Sequence, residues 1–386
     1  MKAIISITSF KNTFLLFFCL SLLGCKKNTV SELLEFNVNG NYPVMTLDIE
    51  DVADIEYLIL DINDDYLFTA FSEMTDNFVV CRGAERSFLF FDRATGNAVS
   101  KISRYGQGPG EYNLPVVSVY SEAKDEFFMI DYPIGIKVYG RDGTFKRQFP
   151  FNRDLYPSHS TALYDYDEDY LLLNCFSFQG NMKDTSFIFI SKQDGFIEGI
   201  FIPYEEYVSL LLVQNGIGSG ASGNHAVSNG KDYLLTEYSS DTVYRFTFER
   251  ELIPVLIRKP SIQKMETKII LHSWLETGKY LFFSTQKLEF DWDKFEGFPT
   301  KGYLMEKKTG KFSQTNIRMH DFKEKVLILG PSVTNRTSNQ HTGIIVLNTL
   351  ELHSANEENK LDGKLKEMTD RLTVDDEYVF MILKFK

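Results

Sequence analysis

The chain contains the segment Arg104-Tyr105-Gly106-Gln107-Gly108-Pro109-Gly110-Glu111-Tyr112, which lies between two runs of β-forming residues, 88–91 and 127–130. Glycine is entropically costly inside a helix or strand, and proline lacks the backbone donor that either element needs. The segment therefore predicts a tightly turned loop between two β regions. Many phenylalanines (33) and tyrosines (20) also favour strands over helices.

A short pattern recurs outward from this loop: a polar residue, then Tyr or Phe, then two or three apolar residues. It occurs at Asn77-Phe78-Val79-Val80, Glu126-Phe127-Phe128-Met129, Asp169-Tyr170-Leu171-Leu172, Asp232-Tyr233-Leu234-Leu235, Lys279-Tyr280-Leu281-Phe282 and Glu377-Tyr378-Val379-Phe380. The starts are 49, 43, 63, 47 and 98 residues apart. Four of these intervals lie near the length of a propeller blade. Hairpin signals follow most of the strands, at Thr95-Gly96, Asp142-Gly143, Asp194-Gly195 and Thr309-Gly310. The pattern predicts radial repetition of β-sheets.

The segment 104–112 resembles the Gly-x-Gly-Pro-Gly-Glu-Tyr signature of a bacterial family of six-bladed β-propeller lipoproteins. Two more elements resemble that family in order, Ser240-Asp241-Thr242-Val243-Tyr244-Arg245 and Val374-Asp375-Asp376-Glu377-Tyr378-Val379-Phe380-Met381-Ile382. The resemblance implies an all-β, six-bladed propeller closed by the N-terminal strand 55–60 and the C-terminal strand in one blade. Such closure removes two exposed sheet edges. Helical spacing within 354–370 predicts a short helix on that blade.

The N-terminus has the features of an export signal. Lys2 and Lys11 flank the start of an apolar run, 14–23, that is too short to span a bilayer stably. The ending Gly24-Cys25 resembles a bacterial lipobox, in which Cys25 carries the lipid. We predict a signal peptide over 1–24, a tether over 25–43 and the propeller over 44–386, with an uncleaved anchor helix as the alternative.

The charge of the chain argues against nucleic acid as a partner. The formal net charge is −12, and loss of Lys2 and Lys11 with the signal makes it −14. Such a chain is repelled by phosphate backbones. Lys26-Lys27 follow Cys25, whereas members of this kind that reach the cell surface tend to carry acidic residues there. We therefore expect a lipid-anchored protein of the cell envelope, on the periplasmic side.

No sequence pattern for a cofactor or metal satisfies its structural requirements. The segment 218–223 spells G-x-G-x-x-G but lacks a following helix, so we interpret it as a loop between strands. The acidic runs 61–65 and 165–169 lack the glycine and glutamate of an EF-hand. The histidines have no helical zinc spacing. Cys81 and Cys175 belong to separate repeats, so we expect both thiols to stay reduced.

Two loops carry candidate ligand-binding residues. In the glycine-rich loop they are Arg104, Gln107, Glu111 and Tyr112, around backbone N–H groups able to form an anion nest. The alternative is a purely structural loop that fastens two blades. The second loop, 290–299, contributes Asp291, Trp292 and Asp293, because aromatic rings beside carboxylates suit sugar or peptide recognition. Its alternative is a covering for the edge of a blade.

These patterns leave two functions open. The first is a lipid-anchored, non-enzymatic module that binds an envelope protein or a glycan, without a cofactor. The second is an envelope lyase or hydrolase that acts on a glycan or other small substrate in the propeller channel. Perturbed histidines or carboxylates at the channel mouth would favour the enzyme.

Overall fold

The structure is a computed structural model that describes residues 33–150, 159–176, 186–221, 223, 225–229, 232–327, 330, 333, 341–373 and 378–386. Leu34–Lys386 forms one compact unit. The predicted signal peptide 1–24 and Cys25 lie outside the described residues. Within the described ranges, no helix has the length and apolar character needed to cross a membrane.

Thirty strands and three short α-helices make up the described chain, and most strands fall into six blades. It starts with β1 (Leu34–Asn37), β2 (Val44–Asp48), α1 (Ile49–Val52) and β3 (Ala53–Ile59). Blade 1 contains β4 (Phe68–Met74), β5 (Phe78–Gly83), β6 (Phe88–Asp92) and β7 (Ala98–Ile102). Blade 2 contains β8 (Pro115–Ser121), β9 (Glu126–Asp131), β10 (Gly135–Tyr139) and β11 (Phe145–Pro150). Blade 3 contains β12 (His159–Asp165), β13 (Tyr170–Phe176), β14 (Phe187–Ser191) and β15 (Ile197–Ile200).

The second half of the chain adds insertions to the same plan. A hairpin of β16 (Leu211–Gln214) and β17 (Ile217–Gly220) precedes blade 4, which contains β18 (His225–Ser228), β19 (Asp232–Thr236), β20 (Thr242–Thr247) and β21 (Leu252–Lys259). Blade 5 contains β22 (Ile269–Glu276), β23 (Tyr280–Lys287), the small hairpin β24 (Phe290–Asp291) and β25 (Glu296–Gly297), β26 (Thr300–Glu306) and β27 (Lys311–Arg318), with β28 (Val326–Leu327) beside β27. Blade 6 contains β29 (Thr342–Asn348), α2 (Thr349–Glu357), α3 (Gly363–Thr369) and β30 (Tyr378–Phe385), together with β3. Single 3₁₀ turns lie at Ala84–Arg86, Glu122–Lys124 and Ile262–Lys264.

The repeat found in the sequence marks the second strand of every blade. Its six copies begin at or next to the first residue of β5, β9, β13, β19, β23 and β30. The glycines of the four predicted hairpin signals all have positive φ, between 67° and 80°, and each lies in the turn between the third and fourth strands of its blade. Glycine adopts this conformation without a steric penalty. The six-bladed, all-β propeller is thereby confirmed.

Blade 6 closes the ring with strands from both ends of the folded chain, as predicted. β30 pairs with β29 on one side and with β3 on the other, both antiparallel. The β3–β30 register runs from Ala53 opposite Phe385 to Ile59 opposite Val379. β30 is buried along most of its length because Met381 and Leu383, among others, pack into the core of this blade. Residues 374–377, predicted as part of this strand, lie outside the described residues.

The predicted tether extends too far into the folded unit. Residues 34–37 were assigned to it, but they form β1, which pairs in parallel with β21 as a fifth strand of blade 4. The physical reason is Phe36, whose fully buried ring lies 4.7 Å from that of Phe283. β2 similarly pairs in parallel with β27 of blade 5.

Two further expectations need correction in detail. The segment 218–223, interpreted as a loop, begins with β17, because Asn215 and Gly216 both have positive φ and form the turn of a hairpin. The predicted helix over 354–370 is two helices, α2 and α3, separated where Asn359 takes a φ of 57°. Cys81 and Cys175 are both buried and neither forms a disulfide, as predicted.

The blades have two rims that matter for the loops below. We call the rim where the first strand of each blade begins the upper rim, and the rim where it ends the lower rim. The first strands β8 and β12 lie side by side, as do β18 and β22. The β16–β17 and β24–β25 hairpins both project from the upper rim, because each follows a strand that ends there.

Removal of residues 374–386 should abolish the folded state, because it takes away β30 and leaves both β29 and β3 with an open edge. Circular dichroism melting and size-exclusion chromatography would show loss of the cooperative transition and aggregation. Deletion of Lys386 alone is the control and should melt like the parent. A monomeric 374–386 deletion with a normal transition would contradict this role of β30.

Candidate functional site

The loop of blade 5 that carries Asp291, Trp292 and Asp293 forms an open cleft on the upper rim. The cleft has a volume of about 460 Å³ and is lined by Glu289, Phe290, Asp291, Glu296, Gly297 and Pro299. The β24–β25 pairing creates it, with Phe290 opposite Gly297 and Asp291 opposite Glu296. Glycine is required at 297, since a Cβ there would lie 2.2 Å from the Phe290 ring.

Phe290 contributes an aromatic ring to the cleft lining, and three more aromatic rings pack around it. The Phe290 ring is central: its centroid lies 4.6 Å from Trp292, 5.3 Å from Phe295 and 5.6 Å from Phe298. Phe295 is 65% exposed, among the largest exposures of any apolar side chain in the described chain. Phe295 and Phe298 also have positive φ, 56° and 55°. Bulky residues rarely adopt this conformation, and such strain concentrates at ligand sites.

The lining also includes three acidic residues, Glu289, Asp291 and Glu296. Glu289 accepts from Lys287 Nζ at 2.8 Å, and Asp291 lies 3.3 Å from Lys294 Nζ. The backbone N–H groups of Asp293 and Lys294 each donate to Asp291 Oδ1 at 3.1 Å. The hydrogen bond from Lys294 N–H, with that from its side chain, lowers the pKa of Asp291. Asp291 is therefore ionised at neutral pH and holds the loop in shape.

The three residues predicted in this loop have different positions. Asp291 lines the cleft, Trp292 supports it by packing on Phe290, and Asp293 is exposed outside the lining. Sequence reasoning missed Glu289 and Glu296 as lining residues. The signal available was the spacing of aromatic and acidic residues on either side of a turn, which places Asp291 and Glu296 opposite one another once the hairpin forms.

The glycine-rich loop joins β7 to β8, between blades 1 and 2, and most of its polar groups are used internally. Glu111 Oε2 accepts from the Gly108 N–H at 2.7 Å, and the Gly106 N–H donates to the Tyr112 carbonyl at 2.9 Å. A Cβ on Gly106 would lie 2.0 Å from Glu111 Oε2. Gly110 has positive φ (74°), and a Cβ there would lie 2.9 Å from the Phe145 ring. The loop is thus closed on itself by the Glu111 carboxylate.

Tyr112 fastens this loop to the inter-blade core. Its ring is fully buried, and its hydroxyl donates to the carbonyl oxygens of Arg86 (2.9 Å) and Ile102 (3.2 Å). Burial raises the pKa of Tyr112 to about 12. Nearby, the buried Lys137 ammonium donates to the Glu111 carbonyl and pairs with the buried Asp131 at 2.8 Å. These contacts agree with the alternative stated above, in which the loop has a structural role and joins two blades.

Arg104 and Gln107 complete the set of predicted residues in this loop. Arg104 Nε donates to the Gly143 carbonyl at 3.1 Å, which ties the loop to the turn between β10 and β11. Gln107 is exposed. Arg104, Glu111 and Tyr112 therefore help to hold blades 1 and 2 together through this loop. A ligand-binding role for these residues and for Gln107 stays a prediction.

The strongly perturbed titratable groups lie inside the molecule rather than in the cleft. His225 and His272 are buried on the first strands of blades 4 and 5, with their Nδ1 atoms 3.4 Å apart. His225 Nε2 donates to the Ser273 carbonyl. Burial lowers the pKa of His225 to about 4 and that of His272 as well. Burial raises the pKa of Glu73, whose Oε1 accepts from the Tyr120 N–H at 2.7 Å.

The fold and the cleft define a six-bladed β-propeller with a loop-built recess on its upper rim. The chain belongs to the family described as "Domain of unknown function (DUF4934)", whose match covers residues 33–384. No curated protein matches the chain. The lipoprotein character implied by the resemblance of segment 104–112 stays a prediction.

Two solved structures of similar fold come from Bacteroides. A protein of Bacteroides fragilis NCTC 9343 named "Putative exported protein" is 15% identical, with a TM-score of 0.61 over 92% of this chain and 99% of its own. A member of the DUF4221 family from Bacteroides vulgatus ATCC 8482 is 10% identical, with a TM-score of 0.52 over 87% of this chain and 99% of its own. At these identities the likeness shows the fold alone.

Substitution Gly110→Ala should lower the free energy of unfolding by about 1 kcal/mol or more, because it adds a Cβ at positive φ against Phe145. Chemical denaturation measures the change. Gln107→Ala is the control in the same loop and should leave stability unchanged. Equal stability of the Gly110→Ala variant and the parent would show that the loop does not depend on this glycine.

The buried histidine pair should make the protein sensitive to mild acid. Folded His225 has a pKa of about 4, whereas an unfolded histidine titrates near 6.5, so the unfolded chain takes up the proton first. The stability contributed by neutral His225 is therefore complete above about pH 6.5 and is lost as the pH falls towards 4. The loss is about 3 kcal/mol.

Melting temperatures at pH 7.5 and 4.5 would test this for the parent and His225→Gln. The difference between the two pH values should be smaller in the variant. His320→Gln is the control, because His320 is exposed and its pKa is raised by a hydrogen bond to Asp48. An unchanged pH dependence in His225→Gln would contradict the assignment.

Proposed function

We propose that the protein is a non-enzymatic binding module of the cell envelope, held there by a lipid on Cys25, with the blade 5 cleft as its ligand site. The observation that carries the proposal is the cleft itself, a recess of about 460 Å³ lined by the Phe290 ring and by the acidic residues Glu289, Asp291 and Glu296. Recesses with apolar walls and a few fixed polar groups are the usual form of a ligand site.

The position of the cleft in the fold supports a binding role. It is built from a loop inserted between two strands of a closed ring, and binding residues in proteins concentrate on loops that a rigid scaffold holds in place. The Phe295 ring is 65% exposed although it lies next to other aromatic rings that could have covered it. An exposed ring beside ionised carboxylates offers stacking and hydrogen bonding to one ligand.

The location of the perturbed groups favours binding over catalysis. A lyase or hydrolase would bring an acid or base of shifted pKa to the substrate site. His225, His272 and Glu73 are among the groups with shifted pKa values, and all three are buried and bonded to protein groups. The cleft instead offers Asp291, whose lowered pKa suits an acceptor that stays charged.

The envelope location rests on the N-terminal sequence. The charged start, the short apolar run 14–23 and Gly24-Cys25 are the features of an acylated export signal. Several acyl chains on one cysteine anchor a protein stably. The fold is shared with a Bacteroides fragilis protein whose name calls it exported. With Lys26-Lys27 after the lipid site, we place the protein on the periplasmic side.

The cleft contains a natural reporter for a binding experiment. The chain has two tryptophans: Trp274 is buried in blade 5, and Trp292 packs against the cleft. In a Trp274→Phe variant of the full chain, kept in detergent, only Trp292 emits. Neutral oligosaccharides and short synthetic peptides are the two probe sets, and at least one probe should shift the Trp292 emission in a saturable way.

Phe295→Ala should weaken the affinity for that probe by about fivefold or more, because an exposed ring at a recess supplies stacking area. Phe196→Ala is the matched control: Phe196 is 66% exposed but lies on the turn between β14 and β15. Failure of every probe to shift Trp292 would overturn the proposal, as would equal losses in the two alanine variants.

A further inference from the structure

The β16–β17 hairpin is a second unusual feature of the upper rim. It connects blade 3 to blade 4 and contributes no strand to either sheet. From residue 207 to residue 230 the sequence contains no Asp, Glu, Lys or Arg, in a chain that is 24% charged. Three of its aliphatic side chains are exposed to solvent, Leu211 by 37%, Val213 by 62% and Ile217 by 54%. Apolar exposure of this kind marks an interaction surface.

The hairpin presents a flat apolar face and open edges. Leu211 pairs opposite Gly220 and Val213 opposite Gly218, so the two aliphatic side chains on this face have glycines as their cross-strand neighbours. A Cβ on Gly218 would lie 3.2 Å from Leu211. In the described chain β16 and β17 pair with each other alone, which leaves backbone donors and acceptors along both outer edges. A two-stranded sheet gains stability when a third strand joins it.

The base of the hairpin and the residues next to the blade 5 cleft pack into the same hydrophobic cluster. Leu210 and Ala221, at the base of the hairpin, belong to it together with Leu288 and Phe298, which adjoin the lining residues of the cleft. Ala221 N–H donates to the Leu210 carbonyl at 3.0 Å, and Phe298 N–H donates to the Glu289 carbonyl at 2.8 Å. The hairpin and the cleft are therefore neighbours, connected by this shared hydrophobic cluster.

The lining of the cleft includes three acidic residues and no basic one, and Lys287 and Lys294 pair with Glu289 and Asp291 from outside the lining. Asp291 and Glu296 lie directly opposite each other on β24 and β25, and like charges at paired positions are destabilising. Aromatic faces beside them attract cations as well. Lysine and arginine side chains combine a positive charge with an apolar stem that can pack on the Phe290 ring.

We propose that the upper rim binds an extended peptide segment of another envelope protein, which adds as a strand to the β16–β17 hairpin and places a lysine or arginine in the blade 5 cleft. This inference deepens the proposed function and rests on it, since the cleft is the same. Main-chain hydrogen bonds to an edge and side-chain pockets beside it are the recognised parts of strand addition.

The charges favour a peptide over the two other occupants of an apolar hairpin. An anionic bilayer would be repelled by the carboxylates of the neighbouring cleft, and the hairpin has no basic residue to offset this. A second copy joined hairpin to hairpin would bring two acidic clefts towards each other. A peptide segment with apolar residues and one basic residue is not repelled by the carboxylates of the cleft.

The test uses a short acetylated and amidated peptide of alternating valine and threonine with one central lysine, labelled for fluorescence anisotropy, and the full chain in detergent. Val213→Asp should weaken binding about tenfold, because it places a charge on the apolar face. Val44→Asp is the matched control, since Val44 is 58% exposed on β2 of the described chain, and should bind like the parent. Equal affinities of the two variants would overturn the proposal.

The lysine contact is tested by a double-mutant cycle. A peptide with norleucine in place of lysine should bind the parent about tenfold more weakly, and Asp291→Asn should remove most of that difference. If the lysine peptide fails to bind while an oligosaccharide shifts Trp292, the inference is wrong and the proposed function stands. If the lysine peptide binds but Trp292 emission and Asp291→Asn have no effect, the cleft is not the site and both are wrong. Hairpin-dependent binding to vesicles of neutral lipid, without peptide binding, would also overturn the inference.

Discussion

Pairing between β3 and β30 is the constraint on which the other features of the molecule depend. Each blade alone is a small twisted sheet with two open edges and a thin core, and its side chains are buried only when the neighbouring blades are in place. The antiparallel pairing of residues 53–59 with 379–385 puts both ends of the folded chain into one sheet. As a result no blade is terminal, and every blade packs against a neighbouring blade on both sides.

A closed ring explains why unusual residues collect in loops and insertions rather than in the strands. Strands and turns between third and fourth strands repeat from blade to blade, with glycine at positive φ in four of them. The insertions do not repeat: one hairpin precedes blade 4, another interrupts blade 5, and a pair of helices interrupts blade 6. Phe295 and Phe298, which both have positive φ, lie in one of these insertions. Scaffold residues and recognition residues are thus separated along the chain.

The separation of scaffold residues from recognition residues also determines which features the sequence could predict. The six blades were predictable because each contains one local, repeated pattern, and the turn glycines mark their own positions. The pairing of β1 and β2 was not, because four or five residues beside a distant edge carry no local signal. In the cleft, Asp291 and Trp292 were recognisable as residue types, whereas Glu289 and Glu296 become lining residues only through the β24–β25 register. Tyr112 stood out in the sequence as a candidate ligand-binding residue, but its hydrogen-bond partners Arg86 and Ile102 depend on how two blades meet.

The fifth strands added to blades 4 and 5 have a consequence for the order of folding. β1, β2 and β3 are the first part of the folded unit to be synthesised, yet their partners are β21, β27 and β30, which come more than two hundred residues later. Contacts so distant in sequence form slowly, and open edges that wait for them are prone to aggregation. A chain of this design needs its first strands to be kept apart from other chains until the last blade has been synthesised. The N-terminal strands therefore act as the final fastening of the propeller, although they are the first to be made.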